Sequence, residues 1–292
     1  MQKSESEKFI ALIGDPHLPG RNFELKKKVI SDINSWPNVD LVVCLGDLCE
    51  NRGSEEEFAF AARFFAGLHA PFLTLLGNHD TWYADAGFYQ GGETEGKEKQ
   101  ARFCRAFPDQ KLSHSIEFAG LRLIFLTLDG FNCQYYSGAS SEQLRWFELE
   151  LQKHPEQATV VFYHAPLWSG DLVKMFPQAV NYLAQPAEEF AKIVAKHRQI
   201  RLWVSGHVHF GMVKELIMNP FNLFNGRVMN ILNCDLDGFS VLNQKIKPEF
   251  HDQIWTRQLF LRPEGFRCAV FDHNRGIEVP ELFMEGSFVE ET

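Results

Sequence analysis

The sequence predicts an α/β fold of layered sheets and helices, on three observations. Short apolar runs alternate with segments of helical spacing from about residue 9 to residue 205. Several runs are apolar at every position, as strands covered on both faces are. After Met212 the chain turns to β-type runs separated by hairpin-turn residues. Alternating strands and helices form layered α/β domains, in which the loops at the carboxyl ends of strands converge on one crevice. One domain is expected, with a core over residues 1–212 and a β-rich extension, 213–292, packed on it.

Phe9–Gly14 reads as the first buried strand, followed by a helix over Phe23–Ile33. Leu41–Leu45 is the second strand. Ser54 and Glu57 have the spacing of a capping box, and Phe58, Ala61, Phe65 and Leu68 recur on one helical face behind it. Pro71–Leu76, Leu121–Leu128, Thr159–Tyr163 and Arg201–Ser205 are further strands. Ser140 and Gln143 open a helix through Leu151, and Pro186 suits the first position of a helix through Lys196. Thr81–Ser113 and Gly170–Gln185 read as insertions, the first a loop with a short helix. In the tail, Asn225-Gly226 and Pro263-Glu264-Gly265 are turn signals, and Ile254–Leu261 with Phe266–Phe271 form the clearest strand pair.

The chain has 292 residues, 45% of them hydrophobic, which suffices for a large buried core. Its 27 Phe residues are read as packing. The formal charge of −9 and the lack of a basic stripe argue against long nucleic acids. Lys26-Lys27-Lys28 is the one basic triplet, read as a solvated helix face. Six Cys lie without metal-knuckle or redox spacing and are expected as reduced thiols. The polar start of the chain and the lack of a long apolar run imply a soluble, cytoplasmic protein.

Five polar signatures each follow a predicted strand: Asp15-Pro16-His17, Gly46-Asp47, Gly77-Asn78-His79-Asp80, His164 in Tyr163-His164-Ala165-Pro166, and Gly206-His207-Val208-His209. Oxygen and imidazole donors without cysteine suit divalent cations. The three glycines are expected to let the backbone turn tightly beneath the donors. In this order the set resembles the calcineurin-like metallophosphoesterases over about residues 9–212. The resemblance implies a four-layer α/β/β/α sandwich with a β-rich C-terminal extension. It also implies two metal ions (Mn, Fe or Zn). Asp15, His17 and His209 would hold the first, Asn78, His164 and His207 the second, and Asp47 would bridge them. A hydroxide shared by the metals would attack a small phosphoester. His79 would act on the leaving-group or phosphoryl oxygen, with Asp80 orienting it. For Asp80, a turn cap is the competing role.

The stretch Gly138–Trp146 resembles the bacterial cyclic-nucleotide phosphodiesterase-like branch. Many of its members carry a second His where this chain has Ala165, which weighs against a cyclic-nucleotide substrate. A phosphodiesterase is the first expectation. A phosphomonoesterase or protein phosphatase, a nuclease and a non-catalytic scaffold are the alternatives. Asp129 is expected to cap a turn. Asn132, Tyr135, Tyr136 and Trp168 are candidate pocket residues, and Arg21 and Arg52 could reach a phosphate. The other histidines, at 69, 114, 154, 197, 251 and 273, are expected at surface or satisfied core positions.

Overall fold

In the computed structural model the described residues are 7–167, 177–209, 222–237 and 254–289. Trp168 and His251 therefore lie outside them, as does part of the Gly170–Gln185 insertion. The strands are β1 (Lys8–Ile13), β2 (Leu41–Cys44), β3 (Phe72–Thr74), β4 (Tyr83–Ala84), β5 (Gly87–Gln90), β6 (His114–Phe118), β7 (Leu121–Phe125), β8 (Thr159–Phe162), β9 (Ile200–Ser205), β10 (Leu223–Phe224), β11 (Val228–Leu232), β12 (Trp255–Arg262), β13 (Gly265–Asp272), β14 (Ile277–Glu278) and β15 (Met284–Ser287). The helices are α1 (Phe23–Ser35), α2 (Glu55–Phe65), α3 (Asn78–Thr81), α4 (Gly92–Ala106), α5 (Ser141–Lys153) and α6 (Ala187–Lys196).

Two sheets pack face to face. The first runs β14-β13-β12-β1-β2-β3, with β15 also on β13; the second runs β10-β11-β9-β8-β7-β6. β1, β2 and β3 are parallel, as are β7, β8, β9 and β11. Strand parity explains the layering, because alternate side chains leave opposite faces. Ile10, Leu12, Val43, Phe125, Val160, Phe162, Leu202 and Val204 fill the space between the sheets. Their neighbours Ala11, Ile13, Val42 and Cys44 pack outward with Val29 and Ile33 of α1 and Phe58 and Phe65 of α2. On the other side Ile124, Val161 and Trp203 pack with Phe147 of α5 and Phe190 and Val194 of α6. The fully apolar runs are thus strands buried on both faces, and the layers are α/β/β/α.

The Ser54–Glu57 capping box forms, with Glu57 N–H on Ser54 Oγ at 3.2 Å and Ser54 N–H on Glu57 Oε2 at 3.0 Å. Asn225 and Gly226, both at positive φ, join β10 to β11. β12 and β13 pair through Arg262 and Gly265, and β12 lies antiparallel to β1. Three details differ from the sequence reading. Pro186 is the N-cap of α6, which starts one residue later. β6 is an edge strand whose half-polar pattern gave little signal. The first insertion carries the hairpin β4–β5 and the 15-residue helix α4. That helix tolerates Gly96 because the ring of Phe131 sits where a Cβ would be.

Candidate metal centre

The five signatures lie at the carboxyl ends of parallel strands from both sheets, and they meet at one edge of the sandwich. Asp15 follows β1, Asp47 follows β2, Asn78 opens α3 after β3, His164 follows β8, and His207 and His209 follow β9. Cross-sheet contacts hold them in register. The His207 amide donates to both oxygens of Asp15, at 3.0 and 2.9 Å. His164 Nδ1 donates to the Leu45 carbonyl at 2.7 Å. Ligand atoms of Asp15, His17, Asp47 and His209 lie within 4.8 Å of one another, as do those of Asp47, His164 and His207. Asp47 belongs to both groups. Six of the seven expected donor residues are therefore brought together, and the seventh, Asn78, places its Oδ1 3.1 Å from His164 Nε2.

The donor chemistry fits divalent cations. With its Nδ1 proton on Leu45, His164 turns Nε2 toward Asn78 Oδ1 at 3.1 Å and Asp47 Oδ2 at 3.5 Å. His17 Nε2 faces Asp47 Oδ2 at 3.3 Å. A ring nitrogen lone pair and an oxygen both accept, so a proton or a cation must lie between them. Buried His207 Nε2 has no hydrogen-bond partner among the described residues. An orphaned buried donor or acceptor is costly unless a ligand takes it.

The protonation directions agree. Burial opposes the charge of both His17 and His164, but neighbouring carboxylates outweigh it. Asp237 and Asp47 raise His17 well above its ordinary range, and Asp47 and Asp15 raise His164 to about 9. Burial also opposes ionisation of Asp47, yet His164 and His79 hold it well below the usual carboxylate range. Asp15, fully buried, is pushed up to about 6 by burial, against His164 and His209. Burial and the neighbouring His164 push His207 well down.

His79 donates its amide to Asp47 Oδ1 at 2.8 Å, and its Nδ1 donates to the Glu50 carbonyl at 2.9 Å. Among the described residues the Asp80 carboxylate is engaged by backbone amides and not by the His79 ring. The fully buried Asp80 carboxylate accepts the amides of Leu48 at 3.2 Å, Cys49 at 3.0 Å and Gly77 at 2.8 Å. It caps α3 and ties the loop after β2 to the loop after β3. Three backbone donors left at these strand ends need an acceptor, and Asp80 supplies it. The glycines also differ from expectation. Gly46 is left-handed at φ 98°, but Gly77 has an ordinary φ of −108°. Gly77 is needed because a Cβ there would overlap the Asp47 carboxylate.

The basic triplet is not wholly solvated. Lys26 is fully buried and donates to the carbonyls of His17 and Pro19, each at 3.2 Å, and to Asp237. Asp235 and Asp237 escaped the sequence reading. Asp237 Oδ2 lies 3.1 Å from His17 Nδ1, and Asp235 Oδ2 lies 3.0 Å from His209 Nδ1. The available signal was the one used elsewhere: Asn233-Cys234-Asp235-Leu236-Asp237 is a polar segment directly after β11.

Aromatic rings rim the same edge. Tyr83 and exposed Phe88 lie 5.1 and 6.5 Å from the His79 ring, and Arg52 covers Phe88 at 5.3 Å. Tyr136 and exposed Tyr182 lie 6.4 and 5.5 Å from the His207 ring. Two other candidates turn away. Asp129 accepts from the Ser140 amide and hydroxyl, both at 2.6 Å, and from Gln143. Asn132 donates to Glu93. Among the described residues no contact draws Tyr135 to the centre, and Arg21 reaches Asp237 through its amide.

Comparison with known proteins gives a consistent result. The chain is 29% identical over 177 residues to a protein of Arcobacter nitrofigilis named "Probable glycerophosphodiester phosphodiesterase", covering 60% of this chain and 59% of that one. It is 27% identical over 177 residues to a "Probable cyclic nucleotide phosphodiesterase" of a Synechococcus strain, covering 60% of each. These matches span about three fifths of the relatives' length. The crystal structure of a dimetal phosphatase from Danio rerio shares the fold, with a TM-score of 0.63 over 97% of this chain and 99% of that one at 12% identity. The family model for calcineurin-like phosphoesterases matches residues 10–211, from β1 to just beyond His209. On that match, which spans all seven converging donors, the chain belongs to the calcineurin-like phosphoesterase family.

Proposed function

We propose that this chain is a dinuclear metal-dependent hydrolase of small phosphodiesters. The carrying observation is that Asp47 belongs to both convergent donor groups. A carboxylate has two oxygens and serves two cations at once. Asp15, His17 and His209 would hold the first cation, and Asn78, His164 and His207 the second. Asn78 contributes a neutral oxygen, which limits the buried negative charge. Bound there, two cations would supply an activated water and compensate charge on the phosphoryl oxygens.

His79 is the proton donor to the leaving oxygen. Its Nδ1 is committed to Glu50, so Nε2 is the atom that delivers the proton. Burial holds this imidazole below its ordinary range, and an anionic phosphoester beside it favours the protonated form. The aromatic rim supports a diester carrying a flat organic group, and the phosphodiesterase names of the curated relatives support a diester over a monoester.

The test is metal content together with turnover of matched diester and monoester substrates. Two metals per chain and a preference for the diester are expected. One metal per chain under metal-replete conditions sinks the dinuclear reading, and a monoester preference sinks the diester assignment. In the same panel Tyr182→Ala should raise KM for an aryl diester more than for a glycerol diester. Equal changes would reject the rim as a substrate contact.

A further inference from the structure

We infer that Asp235 and Asp237 are positioning residues of the metal centre, which orient His209 and His17 and set the affinity of the first cation. The inference rests on the reading that these two imidazoles hold a metal. Neither aspartate lies in the family match, which ends at residue 211. Asp237 meets His17 Nδ1 in a hydrogen bond at 3.1 Å, and Asp235 makes an ion-pair contact with His209 Nδ1 at 3.0 Å. A carboxylate accepting the Nδ1 proton fixes the tautomer and leaves the Nε2 lone pair for the metal. The Nε2 atoms do point inward: His17 Nε2 is 3.3 Å from Asp47, and His209 Nε2 is 3.9 Å from Asp15. In the second group His164 Nδ1 meets a neutral carbonyl instead. The two aspartates therefore add negative charge behind the first group and raise the basicity of its ligands.

The segment bearing them is fixed to both sheets. The Asn233 amide and side chain donate to the Ser205 carbonyl, at 2.9 and 3.0 Å, at the end of β9. The Leu236 amide donates to the Asp15 carbonyl at 3.2 Å, beyond the end of β1. Gly14 approaches the Cys234 carbonyl so closely that a Cβ would overlap it. The Asp237 carboxylate is itself clamped by buried Lys26 and by the Arg21 amide at 3.1 Å. An anchored acceptor of this kind holds an imidazole to one orientation, where a mobile one would not.

Titration of metal-free protein with Mn²⁺ or Co²⁺ alone tests the inference, by calorimetry and by the Co²⁺ absorption spectrum. The step lost in His209→Ala identifies the first site. Asp235→Asn and Asp237→Asn should each weaken that step by about 10–100-fold. The other step should stay within about threefold of wild type, as should the second-site Co²⁺ spectrum. Asparagine keeps an acceptor oxygen for Nδ1–H, so the metal-free melting temperature is read in parallel. If Asp237→Asn unfolds because Lys26 loses its counter-charge, Asp235→Asn alone decides the outcome. Wild-type affinity at both steps, or equal weakening of the two, overturns the inference. If wild-type protein shows no step that His209→Ala removes, the ligand assignment of the first site fails as well, and the two failures are thereby separated.

Discussion

Gly77→Ala tests how far the centre depends on close approach. Gly77 sits at φ −108° and ψ −171°, which alanine adopts without strain, so the substitution is purely steric. A Cβ on Gly77 would overlap Asp47 Oδ1 and lie 2.5 Å from the Asp47 amide nitrogen and 2.7 Å from His164 Cε1. Real Cβ contacts begin above 3.0 Å. The Asp47 carboxylate must retreat by about 1 Å, and the Asp47 amide and the His164 ring by roughly half as much, in an interior packed like a crystal. Overpacking of this kind costs about 1–3 kcal/mol. That is survivable against a total stability of about 5–15 kcal/mol. The displaced atoms are the shared carboxylate and a second-site imidazole, so binding should suffer more than folding. The expected result is a folded protein with a lowered melting temperature and a loss of both metals. Gly67→Ala is the control, because its nearest contacts, Ile30 and Phe64 at 3.4 Å, are at the edge of ordinary packing. Elemental analysis after dialysis and thermal unfolding of all three proteins decide the matter. Full metal occupancy in a Gly77→Ala protein would refute the argument.

Asp47→Asn should lose more metal than His79→Asn, since Asp47 is common to both donor groups and His79 is in neither; equal stoichiometry in the two variants would show the roles to be divided wrongly. His79→Asn should slow esters with poor leaving groups by about 10²–10⁴-fold and activated aryl esters less; a uniform loss of kcat would leave only electrostatic stabilisation. Away from the centre, burial pushes His273 down to about 4, outweighing the Asp32 carboxylate at 2.8 Å, which Lys28 shares. The unfolded chain then binds the extra proton below its ordinary value near 6.5, so stability is full above that pH and is lost as pH falls toward 4. The difference amounts to about 3 kcal/mol. Asp15, raised to about 6, contributes with the opposite sign in this range, so the difference between proteins is the readout: urea unfolding between pH 7.5 and 4.5 should lose less stability on acidification in His273→Gln than in wild type, and parallel curves would remove His273 as a contributor.

The sequence carried the layers and the donors because both depend on local patterns. A strand buried on both faces must be apolar at successive positions, so Ala11-Leu12-Ile13 and Val42-Val43-Cys44 announce themselves. Ligands that follow such strands are short polar breaks, legible for the same reason. What hid were partnerships formed over long separations. For Asp80 the sequence leaves two roles open, orienting His79 or capping a turn, and the contacts formed are with the amides of Leu48, Cys49 and Gly77. Lys26 stands in a basic triplet, and its burial rests on Asp237, 211 positions away, together with the carbonyls of His17 and Pro19. Asp235 and Asp237 follow a strand as the recognised signatures do, but they lack a neighbouring histidine and drew no attention. Spacing within a motif reports which side chains share a loop. It does not report which backbone groups are left without partners at the far side of the crevice.

Those unpartnered groups arise from backbone conformation. Asp15, His17, Asp47, His207 and His209 all lie at positive φ, between 34° and 65°. For non-glycine residues such a conformation costs on the order of 1–3 kcal/mol each and persists only where the surroundings over-determine it. The surroundings here do so at nearly every point. Asp80 gathers the two amides that follow Asp47 together with the Gly77 amide, and Asp15 gathers the His207 amide. Leu236 and Lys26 hold the carbonyls of Asp15 and His17. The left-handed turns swing successive side chains out of the sheet and toward one another, which an extended strand with alternating faces cannot do. The centre is therefore a strained set of strand ends braced by carboxylates: Asp80 and Asp15 hold backbone amides, and Asp235 and Asp237 stand behind two of the imidazoles.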